Sequence, residues 1–246
     1  VAGLANLADG YFLEKFIERV KELGYNDFDY KIINTADYGV PQKRKRFIFL
    51  ANRTGNIIPW PKPKFYEKPQ NWQNSYRSIN QVLTGLETSK SQGKHFNHRP
   101  MNHSAEVIER FSHIEEGHKI DHNQLPEHLK RSRTGKLIKS FSKVLFRLDR
   151  NKPSPTLVPG HSAFPIHPWL DRQLTVREAA RIQTFPDSIE FLGNHGQQCK
   201  QVGNAFPPMA AEVFANAIKK AIVNDWKGDN LSGLVHYSLV EKQVSK

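Results

Sequence analysis

The run Arg46-Phe47-Ile48-Phe49-Leu50-Ala51 constrains this chain more than any other stretch. It is apolar at nearly every position, so as a strand it calls for cover on both faces. Just upstream, Tyr30 to Asn34 reads as another strand and Tyr38-Gly39-Val40-Pro41 as a turn. Earlier still, Phe12, Phe16, Val20 and Leu23 recur at spacings of three and four. That pattern predicts a helix from Gly10 to Gly24, with the second glycine as its stop. Helix, strand, turn and strand make a piece of an α/β layer rather than a complete one.

The texture changes near Asn52. Pro59, Pro61, Pro63 and Pro69 fall together, with Trp60, Phe65, Tyr66 and Trp72 among them. A domain boundary is expected there. Residues 53–165 are polar and loop-rich, and their clearest helix runs from Ser104, a good N-cap, to Ile114. Order returns over 166–224. Thr175 can cap a helix through Ile182, and Pro207 can open a long one through Met209, Phe214 and Ala221. Residues 225–246 form a polar tail.

The chain carries 36 Lys and Arg against 24 Asp and Glu, a net charge of +12. An excess of that size points to an anionic partner, nucleic acid first, with a merely basic soluble protein as the alternative. No apolar run reaches the roughly 18–20 residues of a membrane span. A single cysteine excludes an intramolecular disulfide and a thiolate zinc cluster. The expected setting is the reduced cytoplasm, away from membranes. Of eleven histidines, His95, His98, His103, His113, His118 and His122 follow no familiar zinc spacing, so no metal is expected.

Three stretches can carry chemistry. In extended Gln42-Lys43-Arg44-Lys45-Arg46, Gln42, Arg44 and Arg46 share one face. Guanidinium forks suit phosphate or a base carbonyl, although a solvated basic strand edge is equally open. In Leu174-Thr175-Val176-Arg177-Glu178-Ala179-Ala180-Arg181, Arg177 and Arg181 lie four apart beside Glu178. An internal ion-pair network at a domain junction suits them at least as well as catalysis. In Gln201-Val202-Gly203-Asn204-Ala205-Phe206-Pro207-Pro208, a Gly-Asn loop entering a helix can expose backbone N–H groups, and Gly203 can let a ligand come close. A plain helix-entry turn is the other reading.

Together the three stretches resemble the C-terminal motifs of the DNA (cytosine-5)-methyltransferases, in the family's order. Tyr38 to Arg46 is similar to the Gln-x-Arg-x-Arg motif with its lead-in. Leu174 to Asp187 resembles the Arg-Glu-Ala-Ala-Arg-x-Gln-x-Phe-Pro-Asp motif, and Gln201 to Pro208 the final Gln-Val-Gly-Asn-Ala-x-Pro-Pro. Arg147-Leu148 and Lys152-Pro153-Ser154-Pro155-Thr156-Leu157 look like the stretch before the second motif. Val1-Ala2-Gly3-Leu4 looks like the tail of the Glu-Asn-Val motif. The Phe-x-Gly-x-Gly cofactor loop and the Pro-Cys nucleophile loop, which precede that point in the family, do not appear.

The resemblance implies an α/β fold. It would be the C-terminal part of a Rossmann-like S-adenosylmethionine-dependent methyltransferase domain, with an inserted, mostly irregular or β target-recognition domain. On that division, 1–52 and 166–224 are catalytic-domain segments and 53–165 recognises DNA. The implied reaction adds a cysteine thiolate to carbon 6 of a flipped-out cytosine, and carbon 5 then takes a methyl group from S-adenosylmethionine. Arg46, matching the last Arg of its motif, would stabilise charge at the cytosine O2. Arg44 and Gln42 would brace that strand or touch DNA. Gly203, Asn204 and Ala205 would complete the cofactor pocket, while Arg177, Glu178 and Arg181 would organise the junction.

In the recognition segment, Lys130, Arg131, Arg133, Lys136, Lys139, Lys143, Arg147, Arg150 and Lys152 face one acid, Asp149. Such a run suits phosphate neutralisation, or a solvated face. Ser132, Arg133, Thr134 and Gly135 form a polar, flexible tip able to read base edges. Cys199 follows no proline and reads as a structural thiol. The expected partners are double-stranded DNA and an N-terminal half bearing the missing motifs, in a bacterial restriction–modification setting at the nucleoid. This chain alone is expected to be inactive. The competing reading is a non-catalytic DNA-binding module derived from a methyltransferase.

Overall fold

Gly24, at φ +85°, ends the first helix where the sequence placed its stop. The computed structural model describes residues 7–53, 55, 58–86, 94–132, 134–138, 145–160 and 164–223. Helix α1 spans Tyr11–Glu22. Strands β1 (Asp27–Asn34) and β2 (Lys45–Asn52) pair antiparallel over their full length, from Asp27↔Asn52 to Asn34↔Lys45. A 3-10 turn, Thr35–Tyr38, joins them and closes on Gly39 at φ +88°. A Cβ at Gly39 would lie 2.8 Å from the Phe65 ring, so both the turn and its packing require glycine.

The register sorts side chains by face. Ile33, Ile48 and Leu50 share one face, and α6 (Pro208–Val223) covers it with Ala210 and Phe214. Phe28, Tyr30 and Ile32 share the other with Phe47, Phe49 and Ala51. There Phe16 of α1 meets Phe49 edge-on at 5.0 Å, and Phe28 stacks on Phe49 at 5.5 Å. This second face stays largely open, and Ile32 is half exposed. The expectation of cover on both faces is therefore met on one only, and within β2 Leu50 alone is buried. Among the described residues the sheet has two strands, and α1 touches the aromatic face through Phe16 and Lys21.

The middle of the chain holds the two-residue strands β3 (Phe65–Tyr66) and β4 (Asn74–Ser75), the short helix α2 (Asn80–Leu83) and α3 (Ala105–Ser112). Ser104 stands at the N-cap of α3 as predicted, though its side chain makes no cap bond. Helices α4 (Val176–Ile182) and α5 (His195–Asn204) follow. A second core joins Ile79, Leu83, Leu148 and Leu157 to Leu174, Ala179, Ala180, Ile182, Cys199 and Val202.

A buried polar layer lies under this core. Thr175 and Glu178 form a reciprocal capping box at the start of α4. Arg172 grips the Glu178 carboxylate with both Nη atoms, at 2.8 and 2.7 Å, and His98 bridges Thr175 Oγ1 and the Leu86 carbonyl. Burial works against the Glu178 carboxylate, but the Arg172 fork outweighs it and holds its pKa below the usual value. His167, fully buried with Nε2 3.6 Å from Glu178, is pushed by burial down to about 4. Between about pH 4 and 6.5 such a histidine is neutral when folded and takes up a proton on unfolding. The stability carried by its neutral form is thus full above about pH 6.5 and is lost as pH falls toward 4. We expect the unfolding free energy to drop by about 2 kcal/mol from about pH 7 to about pH 5. His167→Gln should flatten that slope in urea titrations. An equal slope in wild type and variant would remove His167 from the account.

Candidate active site and nucleic-acid interface

Residues 42–46 alternate as an extended segment dictates. Gln42 and Arg44 are buried, Lys43 and Lys45 exposed, and Arg46 half-buried. The Gln42 segment is stitched to a remote one. Lys43 N donates to Ser154 O at 2.8 Å, Ser154 N to Pro41 O at 2.9 Å, and Thr156 Oγ1 to Lys43 O at 2.9 Å. Arg44 then reaches further. Its Nη1 donates to the Leu157 carbonyl at 3.0 Å and its Nη2 to the Gly203 carbonyl at 2.5 Å. One guanidinium thus ties its own segment to two others, 113 and 159 residues further along the chain. Gln42 and Arg44 are 0% and 3% exposed; Arg44 braces through its Nη atoms, whereas neither amide atom of the Gln42 side chain has a hydrogen-bond partner among the described residues.

Arg46, two residues on, differs from Arg44. Its Nη1 donates to the carbonyl of Lys45 at 3.0 Å, and no carboxylate pairs with it among the described residues. Burial lowers its pKa from the usual arginine value, yet a guanidinium stays charged at neutral pH. The segment therefore presents one half-buried cation beside one buried brace that is bonded through both Nη atoms, its Nε left without a partner among the described residues.

Gly203 and Asn204 are not in a loop. They form the last turn of α5, and Ala205 caps it through its N–H to Val202 O at 3.3 Å. Gly203 is buried, and a Cβ there would sit 2.6 Å from Pro159 Cα and 2.7 Å from its nitrogen. The close approach that glycine permits is to Pro159, not to an open ligand cleft. Asn204 is exposed and Ala205 half-buried.

Arg177 is completely buried. It donates through Nε to Phe96 O at 2.9 Å and through its Nη atoms to Pro186 O and Ile189 O. Arg181 forks onto Asp187 at 2.9 and 2.5 Å, and Nη1 lies 3.2 Å from both Val82 O and Thr84 O. These residues and Glu178 join α4 to the chain before and after it. Arg172, the partner of Glu178, escaped the sequence reading, although its place six residues upstream was the available signal.

The basic run divides. Arg147 is buried, and its fork meets the carbonyls of Phe111, Ile114, His167 and Leu170 and the Asp171 carboxylate at 2.5–3.0 Å. It neutralises no phosphate, which corrects that expectation. Arg150 pairs with Glu116 and lies over the Trp169 ring, Lys152 pairs with Asp149, and Lys130 with Glu127. Arg131, Thr134 and Lys136 are exposed on a hairpin. That tip is closed by backbone bonds, not open as a flexible loop would be. Arg133, Lys139 and Lys143 lie outside the described residues. A cavity of about 400 Å³ lies elsewhere, lined by Asn97, Arg99, Met101, Asn102, His195 and Gln198, and none of the predicted site residues borders it.

A model of the family described as C-5 cytosine-specific DNA methylase matches residues 1–220. The chain belongs to that family. Type II methyltransferase M1.HphI of Haemophilus parahaemolyticus is 34% identical over 228 residues, covering 92% of this chain and 56% of that protein. M.DdeI of Desulfomicrobium norvegicum is 30% identical over 229 residues, covering 76% of this chain and 53% of that protein. The methylase chain thus spans about half the length of these relatives. A DNA modification methyltransferase encoded in an E. coli prophage shares the fold, with a TM-score of 0.59 at 22% identity over 87% of this chain and 67% of that one.

The family's methyl donor is S-adenosylmethionine. The methylase residues fit it in part. Gly203 has its Cα surface taken by Pro159, while Asn204 and Ala205 at the end of α5 are exposed and half-buried. Among the described residues no helix is long and apolar enough to cross a membrane, and no cluster of His, Cys, Asp and Glu could hold a metal.

Gly203→Ala separates packing from helix propensity. Alanine favours a helix over glycine by about 1 kcal/mol, whereas overpacking against an immovable backbone costs about 1–3 kcal/mol. Because the clash is with Pro159 backbone, the cost should win, lowering Tm by roughly 2–4 °C per kcal/mol of net loss. A rise in Tm on calorimetry would show that α5 can shift away from Pro159.

Proposed function

We propose that this chain supplies the base-gripping and duplex-reading part of a DNA (cytosine-5)-methyltransferase acting in a bacterial restriction–modification system. The observation that carries this is the Arg44 fork. It gathers the strand before Arg46, the segment at Leu157 and the end of α5 at Gly203 around one buried group. The motifs behind the family resemblance are therefore neighbours in space.

In this reading Arg46, whose guanidinium meets no carboxylate among the described residues, turns its remaining donors to the O2 of a flipped-out cytosine, where negative charge grows as carbon 6 is attacked. Arg44 and Gln42 hold the strand still, so Arg46 need not reorganise as that charge forms. S-adenosylmethionine, when bound, supplies the methyl group, and Asn204 and Ala205 contact it. Arg131, Thr134 and Lys136, with Lys130, Arg133 and Lys139, meet the duplex. Residues 1–52 and 166–224 belong to the catalytic domain, and 53–165 to the recognition domain.

The attacking sulfur comes from another segment. Burial pushes the Cys199 thiol up to about 11, so it is not a thiolate at neutral pH. The edges of the β1–β2 pair are where further strands of the sheet would add, and its open aromatic face, with Tyr11 and Phe12 exposed beside it, is where a further layer would pack. Mixed with a polypeptide bearing the Phe-x-Gly-x-Gly, Pro-Cys and Glu-Asn-Val segments of a family member, the chain should transfer labelled methyl groups to duplex DNA. A folded mixture that binds DNA without transfer would favour the non-catalytic module. In the active enzyme, Arg46→Ala should slow single-turnover methylation by about a hundredfold or more while changing DNA affinity by less than about threefold. Unchanged turnover would remove Arg46 from the active site.

A further inference from the structure

The hairpin that carries Arg131, Thr134 and Lys136 is built to a tight pattern. Ser132 N donates to Lys136 O, Ile138 N to Lys130 O and Gly135 N to Ser132 O, each at 2.8 Å. Gly135 closes the loop at φ +76°, a conformation that glycine adopts without strain. An isolated hairpin of this size has no core and is marginal in water. Its orientation must come from whatever holds its base.

Two groups hold that base. Leu129 is completely buried and anchors the chain just before the hairpin. Arg110, on α3, then bridges the entry. Its Nε donates to Leu129 O at 2.9 Å and its Nη2 to Arg131 O at 2.8 Å. The two carbonyls flank Lys130, so one planar fork fixes the backbone direction where the hairpin leaves the body. Helix α3 is itself fixed, because Phe111 packs with Ile114 and Ile166 and its carbonyl receives Arg147. A nearby exposed pair, His128 Nε2 with Glu109 Oε1 at 3.0 Å, adds little.

We propose that Arg110 is the positioning residue for sequence discrimination by this methyltransferase. It acts through the hairpin, because its Nε and Nη2 are both spent on the two carbonyls at the hairpin's base. This rests on the reading that the 131–137 hairpin contacts the duplex. Without Arg110 the hairpin must be ordered on binding, and that cost falls on the complex that needs its exact placement. Binding through charge alone needs no such placement, so non-specific affinity is untouched.

The test uses the complete methyltransferase. Bisulfite sequencing of a methylated plasmid gives the modified site. Affinities are then measured, at two salt concentrations, for a duplex with that site and for one with a single base pair changed. Arg110→Ala should weaken binding to the modified site by about tenfold or more, leave the altered duplex and the salt slope unchanged, and spread plasmid methylation to other sites. Arg110→Lys, with one donor group in place of a fork, should lie between wild type and Arg110→Ala, and it decides the matter if Arg110→Ala does not fold. Lys136→Ala should lower the salt slope by about one, and Thr134→Ala should relax selectivity. If those two act while both Arg110 variants keep wild-type discrimination, the role of Arg110 is overturned and the hairpin contact stands. If neither acts, the hairpin contact fails and the role of Arg110 falls with it. An equal loss on both duplexes overturns the positioning role as well, because it marks general damage.

Discussion

Backbone carbonyls in irregular segments need donors, and in this chain buried guanidinium groups provide them. The described sheet that carries real length has two strands, and much of the remainder is loop. A carbonyl buried in a loop has no ladder to join, and leaving it unpaired costs roughly as much as a lost hydrogen bond. Arg44 serves one such carbonyl and one at the end of α5, Arg147 three and one at the end of α3, and Arg177 three. Arginine suits this task because its planar fork reaches several acceptors at once and is more weakly hydrated than an ammonium.

That constraint changes what the basic charge means. A net charge of +12 invites a picture of a cationic surface. Yet Arg44, Arg147 and Arg177 are interior, and Arg172 and Arg181 are bound to Glu178 and Asp187. Removing one partner from a buried pair leaves an uncompensated charge, so these sites tolerate substitution poorly. The contrast between Arg44 and Arg46, two positions apart on the same strand face, separates architecture from chemistry. One guanidinium is bonded into the fold through both Nη atoms, and the other has no carboxylate partner among the described residues. Arg110 extends the same logic to the hairpin, where carbonyls are held so that exposed side chains point outward.

Local patterns were legible where one residue type forces one conformation. The stop at Gly24, the Thr175 capping box and the alternation of Gln42, Arg44 and Arg46 all follow from short-range rules. The Gly203-Asn204 segment was misread as a loop, because glycine before asparagine suggests a break and only the packing against Pro159 explains glycine inside a helix. Arg147 was misread as a phosphate contact for a related reason. A cation in a basic run looks solvated until the four carbonyls around it, contributed from two separate stretches of chain, are known.

The sequence by itself determined the family, through three motifs in order, and the periodicities of its helices and strands. Those depend on neighbours within a few residues and on residue types that admit few substitutes. The tertiary structure alone decided which arginines are structural, which face of the sheet is covered and how the hairpin at 131–137 is seated. Each of these depends on acceptors and apolar surfaces brought from remote parts of the chain, as when Arg44 meets a carbonyl 159 residues away. No local pattern encodes such a meeting, because burial and pairing belong to the folded assembly of segments and not to any one of them.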